Sequence, residues 1–237
     1  MISVLIPAHN EAISIAGTIQ QLESDLNLEH EVIVVNDHSS DETAQVVKEL
    51  SQKFSNIILV DNNHEMGLAN ALRTGFDACK GDLIVPMMAD FCDDPWTINK
   101  MYYKINEGYD IVCGSRYMSG GRKIGGPRLK SFFSRFVGLS LHYLIGIPTY
   151  DIANSFKMYK KEVIRSITTE AEGFEISVEL PLKAFFSGYE ITEVPTTWID
   201  RKRGKSKFHV LKQGSNYFKL YIWALWKEVN SCFLKRR

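Results

Sequence analysis

The sequence predicts an α/β fold in which one mostly parallel β-sheet carries helices on both faces. Five short runs in the first half are continuously apolar and rich in β-branched residues, and segments with helical spacing separate them. Continuously apolar strands indicate a sheet that is buried on both faces, and parallel neighbours need a crossover helix between them. Polar residues follow most of these runs, as expected where ligands bind at the carboxyl ends of parallel strands.

The predicted elements alternate in chain order. The strands span residues 3–7, 31–37, 56–61, 82–88 and 110–116, and a later one spans 190–199. The helices between the first five strands are expected at about 11–26, from the capping residues 39–41 to 54, at 67–79, and onward from Pro95. A chain of 237 residues has the length of one large domain or two small ones, and we expect a single domain over residues 1–237.

Two long helices are expected in the second half. Residues 127–146 place apolar side chains on one helical stripe and the basic residues Arg128, Lys130 and Arg135 on the other side. A C-terminal helix is expected over about residues 209–230, with an aromatic face and a narrow stripe of lysines. This amphipathic pattern is typical of a helix in a membrane interface, and it equally fits a helix packed on the core with its lysines in water.

Composition restricts the class of protein. Hydrophobic residues make up 45% of the chain and charged residues 24%, as in ordinary globular proteins. We find neither an apolar run of the roughly 20 residues that span a bilayer nor the pattern of a secretory signal. The four cysteines form no Cys-x-x-Cys pair, which disfavours a zinc site and a disulfide framework. We therefore expect a cytoplasmic protein, either free or peripheral on the cytoplasmic face of the membrane.

The net charge is zero, but the charges are unevenly distributed. Residues 1–114 contain 18 acidic and 6 basic side chains, whereas residues 115–135 contain 6 basic and no acidic ones. Residues 200–237 contain 11 basic and 2 acidic side chains. Two basic blocks with so few acids indicate contact with an anionic partner.

Six stretches in order resemble one family. They are VLIPAHNEA (4–12), EVIVVNDHSSDET (31–43), GLANALRTGFDACKGDLIVPMMAD (67–90), DIVCGSRY (110–117), DIANSFKMY (151–159) and GYEITEVPTTWIDRKRGKSKF (188–208). The chain thereby resembles the family 2 glycosyltransferases of the GT-A fold, and more narrowly the polyprenyl-phosphate sugar synthases typified by dolichol-phosphate mannose synthase. The resemblance implies an inverting hexosyltransferase that moves a sugar from a GDP- or UDP-sugar to a polyprenyl or dolichyl phosphate. It also implies a nucleotide-binding half at residues 1–116 and an acceptor-binding half at 117–237.

The resemblance implies a donor site after the first, second and fourth strands, completed by a late basic loop. Its residues are Pro7, His9, Glu11, Asp37, Ala89, Asp90, Arg201 and Lys207. A diphosphate leaves readily only when its charge is neutralised. A Mg²⁺ or Mn²⁺ ion held by one or two carboxylates and the phosphates supplies that neutralisation.

The metal position departs from the family pattern. The family has Asp-x-Asp at the end of the fourth strand, whereas this chain has Met88 at the first position and Asp90 at the second. A hard cation prefers oxygen, so neither Met88 nor Cys92 suits it, and Asp90 is the predicted metal ligand. Asp93 and Asp94 either compensate for the missing carboxylate or, as we favour, cap the helix that follows.

The resemblance also implies an acceptor site near the basic, glycine-rich segment 115–135, with a flap loop at 201–207 closing on the diphosphate. The implied acceptor-phosphate contacts are Arg116, Lys130, Arg135 and Ser206, and the implied catalytic residues are Asp90, Arg116 and Lys130. A nucleic-acid partner is not expected, because the basic loop follows a strand and precedes an amphipathic helix. Some members of the family work beside a separate membrane subunit, which would be a further partner here.

Two alternatives stay open from the sequence. A lipid phosphate is already anionic and needs no general base, but a sugar-hydroxyl acceptor in polysaccharide or glycolipid synthesis would need one. Glu172, Glu175 and Glu179 are the candidates for that base. The loss of a carboxylate at position 88 also allows a domain that binds a nucleotide sugar without turning it over.

Overall fold

The computed structural model describes residues 1–201 and 210–234, without the side chains of 210–213 and 232–234. The strands are β1 (Ile2–Ala8), β2 (His30–Asn36), β3 (Ile57–Asp61), β4 (Leu83–Pro86), β5 (Ile111–Ser115), β6 (Arg122–Ile124), β7 (Lys157–Lys160), β8 (Ile191–Pro195) and β9 (Thr197–Ile199). The helices are α1 (Ile15–Asp25), α2 (Thr43–Ser51), α3 (Leu68–Ala78), α4 (Trp96–Asn106), α5 (Arg128–Ile145), α6 (Lys161–Ser166), α7 (Ile176–Phe186) and α8 (Val210–Leu234).

Seven strands form one sheet in the order β3-β2-β1-β4-β7-β5-β8. Strands β1 to β4 are mutually parallel, and β5 is parallel to β8. Strand β7 is antiparallel to both of its neighbours, β4 and β5. The predicted fold class, a mostly parallel sheet with helices on both faces and a C-terminal amphipathic helix, is confirmed.

The central strand β1 is buried on both faces because its side chains alternate between two hydrophobic cores. Val4 and Ile6 pack in the core formed with α1, α2 and α4, whereas Leu5 packs in the core formed with α3. Helix α3 approaches the sheet so closely at Gly75 that an added Cβ atom would collide with the Leu5 side chain. This burial explains why the run is continuously apolar rather than alternating.

The first helix begins four residues later than expected. The chain makes a turn at Glu11, where the Ser14 amide donates to the Glu11 carbonyl oxygen at 3.0 Å, and α1 starts only at Ile15. Glu11 therefore lies on the turn after β1 and not in the helix.

The single strand expected at 190–199 is wrong, because the chain changes sheets at Thr196. The Thr196 amide donates to Ser115 O at 3.1 Å, while the Thr196 carbonyl accepts from the Arg122 amide at 2.9 Å. Strand β8 consequently belongs to the large sheet, and β9 pairs with the unpredicted strand β6 in a small parallel sheet. This small sheet lies beside the end of β4, since Ile199 N donates to Cys92 O at 3.0 Å.

Helices α5 and α8 pack on each other, and α8 also packs on α7. Leu141, Ile145 and Ala224 are buried in their shared core. The outer faces of the two helices keep large apolar side chains in solvent, namely Leu129, Phe132, Phe133, Phe136, Tyr143 and Leu144 on α5 and Phe218, Ile222, Trp226 and Val229 on α8. Within residues 1–201 and 210–234, no helix combines the length and the apolar composition needed to cross a bilayer.

Candidate active site

The loops after β1 and β2 are tied to each other at the carboxyl edge of the sheet. His9 Nδ1 lies 2.6 Å from Asp37 O, and the Glu11 amide donates to Thr43 Oγ1 at 2.9 Å. His9 and Glu11, two residues predicted to bind the nucleotide-sugar donor, are thus held in place by residues that follow β2. Pro7, a third donor residue, is buried within β1 opposite Val35 of β2.

Asp37 lies at the buried floor of this edge. Its carboxylate accepts from Asn62 Nδ2 at 2.7 Å and from the Gly67 amide at 3.0 Å. Gly67 precedes α3, so one carboxylate connects the loop after β3 to the start of that helix. Its predicted contact with the nucleoside stays a prediction, and the structure adds a bracing role that no local pattern in the sequence indicates.

Asp90 follows β4 and is brought together with Arg201 and Glu11. Asp90 Oδ2 forms an ion pair with Arg201 Nη2, and its Oδ1 accepts from the Cys92 amide at 3.2 Å. Arg201 Nη1 also lies 3.8 Å from Glu11 Oε1. Glu11, Asp90 and Arg201, which were all predicted to bind the nucleotide sugar, therefore meet in one partly buried cluster. We call it the Asp90 cluster.

Ala89, the residue before Asp90, is fixed to helix α1. It is buried, and its carbonyl oxygen accepts from Thr18 Oγ1 of α1 at 3.1 Å. The next turn is strained at Phe91, which has a φ of 62° although it is a bulky residue. This left-handed conformation directly follows Asp90, and the Phe91 side chain is half exposed.

The two acidic residues that follow have different roles. Asp94 accepts from the Trp96 amide at 3.2 Å and from Thr97 Oγ1 at 3.3 Å, so its predicted capping of α4 is confirmed. The same prediction is wrong for Asp93, whose backbone pairs with Trp198 and whose buried carboxylate accepts from the Met88 amide at 3.3 Å.

The environment of Asp93 favours its protonated form. Burial, and next the negative charge of Asp90, raise the pKa of Asp93 to about 7. The carboxyl group therefore holds a proton for part of the time near neutral pH. Asp93 is therefore a poor candidate to replace the carboxylate that is missing at position 88.

The residues around Asp90 fit a cation held mainly by other ligands. Cys92 is buried, and burial followed by the charge of Asp90 raises the pKa of its thiol, so it stays protonated. No group of three or more His, Cys, Asp or Glu side chains arranged for a metal occurs in the described part of the chain. The guanidinium beside Asp90 indicates that this position accepts positive charge. One carboxylate completed by diphosphate oxygens and water is a normal environment for Mg²⁺.

Arg116 is clamped by Asp151 rather than open to a ligand. Its Nε donates to Asp151 Oδ2 at 2.7 Å, its Nη2 to Asp151 Oδ1 at 2.8 Å, and its amide to Oδ2 at 2.9 Å. The Asp151 side chain is fully buried. Burial lowers the pKa of Arg116, but the charge and hydrogen bonds of Asp151 outweigh burial and raise it.

The Arg116–Asp151 pair connects the end of β5, the loop before β7 and helix α5. Arg116 directly follows β5, Asp151 lies in the loop before β7, and Arg116 Nη2 also donates to Ser134 Oγ of α5 at 3.1 Å. Asp151 lies in one of the stretches that resemble the family, but no pattern in the sequence indicates that it pairs with Arg116. Contact of Arg116 with the acceptor stays a prediction, and the structure itself supports a positioning role.

The remaining basic candidates lie along α5 and beyond it. Lys130 is in the first turn of α5 and half buried, whereas Arg135 is exposed further along the helix. Ser206 and Lys207 lie outside the described residues. Sequence reasoning missed Lys123 of β6, which lies 4.6 Å from the centre of the Trp198 ring and donates to Ser131 Oγ at 2.6 Å.

The candidate bases for a hydroxyl acceptor differ in burial. Glu179 is buried, accepts from the Ala171 amide at 2.8 Å and pairs with Lys183 at 2.7 Å. Glu175 is buried as well, and its Oε1 accepts from Asn216 Nδ2 of α8 at 3.0 Å. Glu179 therefore has a structural role, and so does one oxygen of Glu175. The other oxygen of Glu175, Oε2, is buried without a hydrogen-bond partner among the described residues, and Glu172 is exposed.

Comparison with known proteins identifies the family. Residues 3–168 match the family described as Glycosyl transferase family 2. The dolichol-phosphate mannosyltransferase of Pyrococcus furiosus is 33% identical over 211 residues, covering 87% of this chain and 58% of that protein. The polyprenol monophosphomannose synthase of Mycolicibacterium smegmatis is 26% identical, covering 94% of this chain and 86% of that protein. The undecaprenyl-phosphate 4-deoxy-4-formamido-L-arabinose transferase of Pseudomonas fluorescens is 26% identical, covering 89% of this chain and 61% of that protein.

Solved structures share the fold. The glucosyl-3-phosphoglycerate synthase from Mycobacterium tuberculosis in complex with Mn²⁺, UDP-glucose and phosphoglyceric acid superposes with a TM-score of 0.66 at 20% identity, covering 85% of this chain and 72% of that chain. The same enzyme in complex with Mn²⁺, UDP and glucosyl-3-phosphoglycerate superposes with a TM-score of 0.69 at 20% identity. That match covers 95% of this chain and 78% of that chain. The chain spans about three fifths of the length of two of the three relatives described above. Because residues 3–168 match this family and the Pyrococcus protein is 33% identical, the chain belongs to glycosyl transferase family 2.

Proposed function

We propose that this protein transfers a sugar from a GDP- or UDP-sugar to a polyprenyl phosphate, with inversion at the anomeric carbon. The observation that carries the proposal is the Asp90 cluster. It joins a carboxylate for a divalent cation, a guanidinium for a diphosphate and a second carboxylate at the carboxyl edge of β1 and β4. The names of three relatives, each a transferase acting on dolichol, polyprenol or undecaprenyl phosphate, support this acceptor class.

The donor half in this proposal is residues 1–116, completed by the loop at 201–207. Asp90 holds Mg²⁺ or Mn²⁺, which supplies charge neutralisation to the leaving diphosphate when bound. Arg201 and Lys207 contact the diphosphate. The nucleoside lies against the residues that end β1, β2 and β4, namely Pro7, His9, Glu11, Asp37 and Ala89.

The acceptor half in this proposal is residues 117–237 with Arg116 at its border. Lys130, Arg135 and Ser206 contact the lipid phosphate, and Arg116 orders their surroundings through Asp151 and Ser134. The phosphate oxygen that attacks the sugar is already anionic at neutral pH. The protein therefore has to position and neutralise charge, and no general base is required. The structural role of Glu179 agrees with this reaction.

The outer face of α5 and α8 is the proposed contact with the membrane. Phe132 and Phe136 stack at 6.3 Å between ring centroids with exposed fractions of 63% and 54%, and Trp226 of α8 is 60% exposed. Exposed aromatic side chains on adjacent amphipathic helices suit insertion into a bilayer interface. Lys227, close to the Trp223 ring, suits an anionic headgroup. A membrane subunit covering the same face is the alternative occupant.

The proposed reaction is tested by incubating the protein with radiolabelled GDP-mannose, UDP-glucose or UDP-GlcNAc, Mn²⁺ and an undecaprenyl phosphate in detergent. One donor should give a labelled lipid that mild acid hydrolyses, and EDTA should stop its formation. Labelling of a glycan acceptor but not of the lipid phosphate would favour the hydroxyl-acceptor alternative. Binding of the nucleotide without transfer to either acceptor class would favour a domain without turnover.

Membrane contact is tested by flotation with vesicles that contain anionic phospholipid. The double variant Phe132→Ser/Phe136→Ser should bind at least about tenfold more weakly than the wild type, since each buried Phe contributes about 1.5–3 kcal/mol. Tyr103→Ser is the matched control, because Tyr103 is 69% exposed but lies on α4. Equal flotation of the double variant and the wild type would contradict the proposed contact.

A further inference from the structure

A positively charged side chain already occupies the position proposed for the metal. Arg201 pairs with Asp90 through Nη2, and its Nη1 is 3.8 Å from Glu11 Oε1. The side chains of Arg201, Asp90 and Glu11 are only 19%, 12% and 16% exposed. Partial burial weakens solvent screening, so the guanidinium offsets the charges of the two carboxylates more effectively than it would in bulk water.

We propose that Arg201 is a built-in counter-cation that competes with the divalent metal for Asp90 until a nucleotide diphosphate draws it away. The inference rests on the proposed function in assigning both the metal and a nucleotide diphosphate to the site at Asp90. In the donor-free protein Arg201 neutralises Asp90. When the diphosphate binds, the guanidinium turns to the phosphate oxygens and Asp90 becomes available to Mg²⁺ or Mn²⁺.

The backbone around Arg201 is suited to a side-chain exchange of this kind. Ile199 N donates to Cys92 O at 3.0 Å, and Asp200 N donates to Ile124 O at 2.9 Å. The two residues before Arg201 are therefore fixed to the loop after β4 and to β6. A rotation of the long Arg201 side chain can transfer the charge without moving either strand.

The chemistry of the two partners favours the exchange. A guanidinium matches a phosphate with two parallel hydrogen bonds, and a diphosphate carries more negative charge than one carboxylate. A hard cation gains oxygen ligands from the same diphosphate. Each ligand therefore improves the site for the other, and their affinities are coupled reciprocally.

The methionine at position 88 makes this competition decisive. In a complete Asp-x-Asp motif, a metal could bind one aspartate while an arginine held the other. Met88 leaves Asp90 as the one aspartate of this motif, and Glu11 lies 3.8 Å from Arg201 Nη1 as the second carboxylate of the cluster. We therefore expect weak binding of the metal alone and much tighter binding in the presence of a nucleotide.

The test is a Mn²⁺ titration of the full chain, followed by electron paramagnetic resonance of free Mn²⁺, with and without saturating GDP or UDP. Arg201→Gln should bind Mn²⁺ alone about tenfold more tightly than the wild type, and the nucleotide should increase its Mn²⁺ affinity less. Arg201→Lys, which keeps the charge but loses the two-pronged geometry, should lie between them. Arg165→Gln is the matched control, since Arg165 is exposed on α6 next to the start of β4.

The possible results separate the inference from the proposed function. If Arg201→Gln binds Mn²⁺ alone no better than the wild type, while the wild type binds Mn²⁺ with nucleotide, the competition is refuted and the donor site stands. If the wild type binds neither nucleotide nor Mn²⁺ with nucleotide, both ideas fail. A gain in Arg201→Gln that disappears in Arg201→Gln/Asp90→Asn would locate the competition at Asp90.

Discussion

Replacing Asp90 with asparagine is expected to lower kcat/KM for sugar transfer by about 10³-fold while the protein stays folded. The asparagine side chain has the same size and can still accept from the Cys92 amide, but it lacks the charge that pairs with Arg201. A neutral amide oxygen neither attracts a divalent cation strongly nor competes for the guanidinium. The measurement is the initial rate of transfer to polyprenyl phosphate over a range of donor and Mn²⁺ concentrations.

Asp94→Asn is the matched control for Asp90→Asn. Asp94 caps α4 through the Trp96 amide, and asparagine caps helices about as well as aspartate. The control should therefore keep its stability and transfer sugar within about twofold of the wild type. If Asp90→Asn kept more than about a tenth of the wild-type activity in excess Mn²⁺, Asp90 would not be the metal ligand.

Replacing Asp151 with alanine is expected to produce the largest loss of stability, about 3–5 kcal/mol in the free energy of unfolding. Removing one partner of a buried ion pair leaves the other charge buried without compensation. Arg116 would lose the Asp151 acceptors of its Nε, its Nη2 and its backbone amide in one substitution, and Nη2 would keep Ser134 Oγ. Urea unfolding at pH 7 measures the loss directly.

One further variant separates the charge of Asp151 from its hydrogen bonds, and another serves as a surface control. Asp151→Asn keeps one acceptor oxygen and should lose less stability than Asp151→Ala. Glu107→Ala, which breaks an exposed ion pair with Lys104, should leave the unfolding midpoint unchanged. If Asp151→Ala unfolded at the wild-type midpoint, the Arg116–Asp151 pair would have no role in holding β5, the loop before β7 and α5 together.

The sequence predicted well those features that depend on local patterns. The strands around Val4, Val34 and Val85 were found because burial on both faces demands continuous apolar runs. The meeting of the site residues at the carboxyl edge of the sheet followed from the parallel arrangement, since loops after adjacent parallel strands lie at one edge. The structure accordingly brings Glu11 and Asp90 into one cluster.

Features that depend on distant pairing could not be predicted in this way. Nothing near Arg116 indicates that its partner is Asp151, because the contact exists only after the loop before β7 has packed against β5. Asp93 and Asp94 have the same local sequence signal for capping, and only the pairing of Asp93 with Trp198 separates their roles. The break at Thr196 depends equally on its bonds to Ser115 and Arg122.

The insertion of β7 between β4 and β5 interlocks the two halves of the polypeptide. Leu83 of β4 pairs with Lys160, and Ile111 of β5 pairs with Tyr159, so a strand from the second half completes the sheet of the first. Strand β5 has β7 and β8 as its neighbours, and both come from the second half. The proposed division into a nucleotide-binding and an acceptor-binding half is therefore not a division of the fold. A chain cut at 116 would expose an unpaired edge on β4 and leave β5 without a neighbour, so the sheet becomes complete only after the second half of the polypeptide has added β7 and β8.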